Sequence, residues 1–245
     1  MGGMKMKKFI SIILGFTMAI SLMAMPISAY AEDTSEISEY YTCKIGDKYY
    51  NTLSDAVASA NTNDVITMIN DETLTGAITF NKEITIDGDG HFVTAKVTGT
   101  DDMLVVNSNS SNYNMFINNS TGTLLEDLTI YGGRKSAIVN NKDKRIFLSK
   151  CTISRSGTNV EGETAGGAIQ NNGGKCFAKD CNFSQNVADY GAGFLNLNKG
   201  IFVLDQCSIT ENRTVNSSRG GGAVENKGNG KLYLNNCTIA NNQSY

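Results

Sequence analysis

Apolar and polar positions alternate in short bursts along most of this chain, and the bursts recur. The segments 146–156 (IFLSKCTISRS), 176–186 (CFAKDCNFSQN), 202–212 (FVLDQCSITEN) and 232–242 (LYLNNCTIANN) are near-copies of one another. Aligned on their cysteines, they place Cys151, Cys181, Cys207 and Cys237 at spacings of 30, 26 and 30 residues. A period-two alternation over so few residues marks strands, and no helical period runs through these units. A Gly-rich step precedes each unit: GGAIQN at 166–171, GAGFLN at 191–196, GGAVEN at 221–226, and a weaker SAIVNN at 136–141. LEDLTI at 125–130 is an earlier copy of the Cys step, and EITIDGDGHFV at 83–93 an earlier coil.

A fixed period of this length implies a stacked repeat. Propeller blades need about four antiparallel strands in about 40 residues. These units are shorter, with about three strands each, and each strand resembles its counterpart in the next unit. The pattern therefore predicts an all-β fold: a right-handed, single-stranded parallel β-helix of about seven coils, since parallel crossovers are right-handed. The expected organisation is a leader over 1–31, an N-terminal strand and capping helix over 32–64, and β-helix repeats over 65–245.

Charge fixes which alternate positions face inward. In KLYLNNC (231–237), either Leu232 and Leu234 are inside, or Lys231 and Tyr233 are. An unpaired buried Lys costs several kcal/mol, so the first frame faces the core. The inward set is Ile146/Leu148, Cys176/Ala178, Phe202/Leu204 and Leu232/Leu234. Beyond a two-residue bend follow Cys151/Ile153, Cys181/Phe183, Cys207/Ile209 and Cys237/Ile239, and from the Gly-rich step Val139, Ile169, Phe194 and Val224. Cys then serves as a small apolar filler. Two columns of asparagines are expected at corners, where Asn tolerates a left-handed backbone and its amides can ladder: Asn186, Asn212 and Asn242, and Asn141, Asn171, Asn196 and Asn226. The Gly pairs allow a tight corner. Cysteines stacked about 4.8 Å apart with parallel Cβ vectors suit free thiols better than disulfides. Cys176 and Cys181 flank one bend and could pair. Cys43 has no evident partner.

The same frame leaves an outward column of Phe147, Phe177, Val203 and Tyr233, with Arg145, Lys175 and Lys231 two residues back and Ile201 breaking the basic series. Aromatics in line are unusual on a solvated sheet. Either a corner loop over 154–165 or 213–219 covers them, or they form a ligand strip. The candidate ligand-binding residues are Phe147, Lys175, Phe177, Val203, Lys231 and Tyr233, with flat ring faces for sugars or a partner's side chains and cations for an acidic group.

At the N-terminal side, Thr52 with Asp55 makes a capping box for a short helix. Leu53, Ala56, Val57 and Ala60 form its apolar face, suited to lid the open end of the stack. A strand on either side of that helix completes the segment. The last repeat, 230–245, looks like an interior one, and its free edge is expected to self-associate end to end or to fray.

The first 31 residues carry Lys5, Lys7 and Lys8, an apolar run from Phe9 to Ala24 and an A-x-A site at Ala29–Ala31. This pattern reads as a secretory signal, giving a secreted or cell-surface protein with no membrane insertion once it is removed. The chain has 21 Lys+Arg and 24 Asp+Glu, net −3; without those three lysines the count falls to 18 against 24, net −6. Such a balance argues against a nucleic-acid partner. His91 is the only histidine. In its IDGDGH turn it reads as a corner residue, and Asp87 and Asp89 as turn residues. No nucleophile, CxxC or Cys/His cluster stands out, so no catalytic residue, cofactor or metal is expected.

The GGAI, GAGF and GGAV steps and the F-x-x-N step Phe183–Asn186 resemble the paired repeats of polymorphic outer-membrane protein adhesins. More broadly, residues 136–242, and less strongly 65–135, resemble pectate-lyase-like right-handed parallel β-helix proteins. The resemblance implies the fold and, for the adhesins, a binding role toward carbohydrate or a cell-surface protein. No outer-membrane barrel pattern accompanies the repeats. The acidic calcium cluster of pectin-acting lyases has no counterpart, since Asp180, Asp189 and Asp205 are scattered. The expectation is a non-catalytic, adhesin-like binding module. The alternatives are a polysaccharide lyase or hydrolase with an unrecognised site, or a fragment of a larger surface protein.

Overall fold

The computed structural model describes residues 40–95, 113–133, 135–157, 166–215 and 220–244, all within one compact unit, Ser35–Tyr245. The expected leader over 1–31 lies outside the described residues. Among the described residues the fold is all-β with one helix. Short strands assemble into sheets of nine, seven, six and three strands, here sheets A to D. Apart from one antiparallel N-terminal hairpin and its junction with sheet A, every pairing among the named strands is parallel. The chain visits the sheets in turn. Ile138–Asn140 lies in sheet C, Arg145–Ser149 in sheet A and Thr152–Ser154 in sheet B. The next circuit repeats one rung on with Ile169–Asn172, Lys175–Lys179 and Asn182–Ser184. Sheet A holds seven parallel rungs between Val65–Met68 and Lys231–Asn235. This arrangement is consistent with a β-helix-like solenoid.

The register follows the charge argument. Ile146, Leu148, Cys176, Ala178, Phe202 and Leu204 are buried, and so are Cys151, Ile153, Cys181, Phe183, Cys207 and Ile209. Phe194 packs edge-on to Phe183 at 4.6 Å and tilted against Phe202 at 5.0 Å, filling the space between the sheets. All six cysteines are free, so Cys176 and Cys181 do not pair. Burial alone pushes the Cys176 thiol well above its ordinary range; for Cys207 the hydrogen bond with the neighbouring thiol comes first and burial second. Cys43, capping the other end of the core, is pushed up to about 12, chiefly by burial. Thiols this reluctant to ionise are poor nucleophiles.

In the Gly-rich step the register departs from expectation by one residue at the first copy. Ile138, not Val139, pairs with Ile169, which pairs in turn with Phe194, and is buried. The asparagine column accordingly runs through Asn140 rather than Asn141. Asn118, Asn140, Asn171, Asn196 and Asn226 form an amide ladder in which each Nδ2 donates to the next Oδ1 at 2.8–3.0 Å. Asn141 instead donates to Asn119. SAIVNN and GGAIQN align with an offset of one, and two adjacent asparagines conceal it.

The second ladder, Asn186 to Asn212 to Asn242, is as expected, with 2.9 Å steps. Its backbone differs. The left-handed residues are those just before the ladder, Gln185 (φ 57), Glu211 (φ 58) and Asn241 (φ 55). A matching set, Lys150, Asp180, Gln206 and Asn236, precedes each Cys. The buried amides thus satisfy backbone carbonyls inside the bend rather than supplying its unusual backbone angle. The Gly pair divides its work. Gly166, Gly191 and Gly221 take positive φ, while a Cβ on Gly167, Gly193 or Gly222 would lie 2.3–2.4 Å from a backbone oxygen of the next rung.

The N-terminal end carries one more strand than expected. Cys43–Ile45 and Lys48–Tyr50 form an antiparallel hairpin, and the first joins sheet A at Val65–Met68. Helix α1, Leu53–Ser59, is capped by Thr52, whose Oγ1 accepts from the Asp55 amide. Seven residues cannot hold a helix alone. Leu53, Ala56 and Ala60, all fully buried, tie it to the end of the core, with Val57 partly buried. Lys82 adds a cation at its C-terminal carbonyls. At the last described rung Leu234 is 43% and Ile239 47% exposed, although their counterparts one rung back, Leu204 and Ile209, are buried.

Candidate functional site

The outward face of sheet A is built by the same strands that build the core, one residue out of phase. Register places Phe147, Phe177, Val203 and Tyr233 in one unbroken column. It extends one rung further to Leu124, which the spacing of the Cys steps did not reveal. Two residues earlier on the same face, Arg145, Lys175, Ile201 and Lys231 form a second column. All six candidate residues are therefore brought onto one face.

Their exposure is unequal. Tyr233 is 47% exposed, Phe147 and Val203 are half-buried, and Phe177 is only 7% exposed. Phe147 and Phe177 stack with centroids 5.0 Å apart and planes 13° from parallel. Phe177 thus backs its neighbours, and its own ring face is spent on packing. The accessible part of the strip is the edge of Phe147, Val203 and Tyr233, with Lys175 beside them. Of the corner loops considered as covers, residues 158–165 and 216–219 lie outside the described residues.

The edges of sheet A differ in charge. The turns that bring the chain from sheet C into sheet A (141–144, 173–174, 198–200 and 227–230) contain Lys142, Lys144, Lys199 and Lys227 and one acid, Asp143. Over the same four rungs the edge toward sheet B carries Asp180 and Asp205 against Lys150 and Lys179, with Asp87, Asp89, Glu126 and Asp127 on the two rungs above. Some of these are already engaged: Ser149 donates to Glu126, and Asn235 to Asp205. His91, at the corresponding corner further up, donates from Nδ1 to Asp71 at 3.1 Å, as a corner residue does. Among the described residues no three His, Cys, Asp or Glu side chains converge as metal ligands, and no helix is long and apolar enough to cross a membrane. A cavity of about 300 Å³ lies between α1 and the strand Ile78–Phe80, away from the strip.

Comparison with family models finds no match for this chain, and no curated protein or solved structure matches it. The geometry of the sheet A face therefore carries the functional reading.

Proposed function

We propose that this protein is a secreted or cell-surface binding module: a right-handed, single-stranded parallel β-helix of the pectate-lyase-like, adhesin-like kind, which holds a glycan or surface partner on the outer face of sheet A without transforming it. The observation that carries this reading is the apolar column Leu124, Phe147, Phe177, Val203 and Tyr233 running in register beside Arg145, Lys175 and Lys231. Solvated parallel strands gain nothing from an outward line of rings, whereas a flat apolar strip edged by cations suits a sugar or side-chain surface. The fixed rung spacing of about 4.8 Å makes the face regular, as a repeating polymer requires. The right hand rests on the general preference of parallel crossovers, and the adhesin-like role on the GGAI and F-x-x-N repeats.

The test is a screen of the purified chain against neutral and acidic glycans and cell-surface proteins. Tyr233→Ser should weaken the strongest interaction at least tenfold and leave the melting temperature within about 1 °C. An unchanged affinity would remove sheet A from the proposal.

A further inference from the structure

The basic column on sheet A has a gap at Ile201, and the structure fills it from the adjoining corner. Lys199 stands two residues before Ile201, in the turn that enters the same strand. Lys142 and Lys144 do the same above Arg145. Every rung from Arg145–Ser149 to Lys231–Asn235 therefore presents at least one cation at the edge facing sheet C: Lys142, Lys144 and Arg145, then Lys175, then Lys199, then Lys231. Four of these six are exposed, and Lys144 and Lys175 are half-buried. Among the described residues none of the six is in an ion pair. Lys227 does not belong to the set, because its Nζ lies 2.6 Å from Glu225 and 4.1 Å from the Tyr190 ring centroid.

Like charges stacked one per rung repel each other. Three rung spacings span about 14 Å, comparable with the screening length at low salt. Over the same four rungs the opposite edge of the sheet carries two acids, Asp180 and Asp205, and two lysines, Lys150 and Lys179, so the arrangement is not a general excess of base; the whole chain is net −3. A row of unpaired cations beside a row of apolar side chains matches one ligand shape. That ligand is a linear polymer lying along the stack, across the strands, with an anionic group on successive units and ring faces against the strip. A sugar ring is comparable in length with the rung spacing. Nucleic acid fits less well, because the stacked Phe147–Phe177 pair leaves no gap between its rings in which a base could stack, and the chain as a whole is net −3.

We infer that the sheet C edge of sheet A, from Lys142 to Lys231, is a binding site for a linear acidic glycan. The inference rests on the binding-module reading and adds the ligand's chemical class and direction. The apolar strip supplies contact with the ring faces, while the ridge selects charge and fixes the polymer along the axis. Individual exposed pairs contribute little, so binding depends on several being made at once.

The experiment measures binding of the full chain to alginate, dextran sulfate and uncharged dextran. Two double variants with equal change in net charge are compared: Lys199→Glu/Lys231→Glu on the ridge and Lys150→Glu/Lys179→Glu on the opposite edge. The wild type should bind alginate or dextran sulfate and not dextran, and raising salt from about 0.05 M to about 0.5 M should release the polymer. Preference between the two acidic polymers separates carboxylate from sulfate as the recognised group. The ridge variant should lose at least tenfold in affinity and the opposite-edge variant less than threefold. Should the ridge variant melt early, Lys199→Gln/Lys231→Gln replaces it, with a loss of at least threefold expected. Equal losses in the two variants, or a salt-insensitive interaction, would overturn the ridge. Dextran bound as tightly as alginate would overturn the ridge and leave the binding-module reading intact. No binding to any glycan or surface protein would remove both.

Discussion

Phe202 and Phe177 sit one rung apart in sheet A, on opposite faces. Phe202 points inward, is fully buried and meets Phe194 at 5.0 Å. Phe177 points outward and is buried almost as deeply, by stacking on Phe147. At interior rungs the inner face is closed on every side by the other sheets and by the rungs above and below. The outer face has only its own column for cover, so Phe147 and Val203 stay half-buried where inner Leu148 and Leu204 are buried; Tyr233, at 47%, shares the exposure of the last rung, where inner Leu234 is 43% exposed. Burial on the inside is imposed by the fold; on the outside it depends on which residues happen to be neighbours. Stability should therefore be concentrated in the inner columns, leaving the outer ones free to serve recognition.

The largest effect should come from Phe202→Ala. Loss of a fully buried ring leaves a cavity between rungs that cannot collapse, at a cost of about 3–5 kcal/mol in urea unfolding. Next is Asn196→Ala. The Asn196 amide donates to Gly200 O and Asn226 Oδ1 and accepts from Asn171, so its removal deletes several buried hydrogen bonds at once and interrupts the ladder, although Asn171 keeps its bonds to Gly174 O and Ile201 O. About 2–3 kcal/mol is expected, and a loss below about 1 kcal/mol would mean that the ladder is ornamental. Phe177→Ser should cost about 2 kcal/mol, less than its inner counterpart because water can enter from the open side. An equal cost would erase the distinction between the faces. Cys207→Ser should be milder, about 1 kcal/mol, since Cys207 Sγ already lies 3.3 Å from Asp205 O and 3.5 Å from Ala178 O, acceptors a hydroxyl can use. In the same column, alkylation of the native protein should spare Cys151, Cys181 and Cys207 and reach half-buried Cys237 first. Uniform rapid labelling would contradict the stack. Smallest is a pH effect at the cap. Burial raises the Glu72 pKa, partly opposed by its hydrogen bond from the Leu53 amide. The folded state then holds the proton more tightly than the unfolded one, so stability should fall slightly as pH rises through and above the ordinary Glu range. Glu72→Gln should flatten that slope.

The inner columns were legible in the sequence because a single burial rule, no lysine inside, chooses between two frames. The inward apolar pairs and the cysteine register follow from it; the helix cap at Thr52 was legible separately, from the Thr52–Asp55 spacing. Where the rule had no charge to act on, it slipped. SAIVNN offers two apolar residues and two asparagines in succession, and only strand pairing distinguishes Ile138 from Val139 and Asn140 from Asn141. The left-handed corner residues were misplaced for a related reason. Gln185 and Glu211 are not residues that advertise positive φ, whereas the adjacent asparagines are, yet those are held by buried amide bonds. The candidate strip was legible as a column. The ridge beside it was not, because Lys142 and Lys199 lie in turns of unequal length, which sequence spacing cannot bring into line.

The claim that the outer face of sheet A is the recognition surface is tested most directly by lysine footprinting. The protein is acetylated briefly with and without saturating acidic glycan, and modification is read residue by residue. Bound polymer should protect Lys142, Lys175, Lys199 and Lys231 together and leave Lys150 and Lys48 as reactive as before. Protection spread evenly over all lysines, or centred on Lys150, would contradict the account.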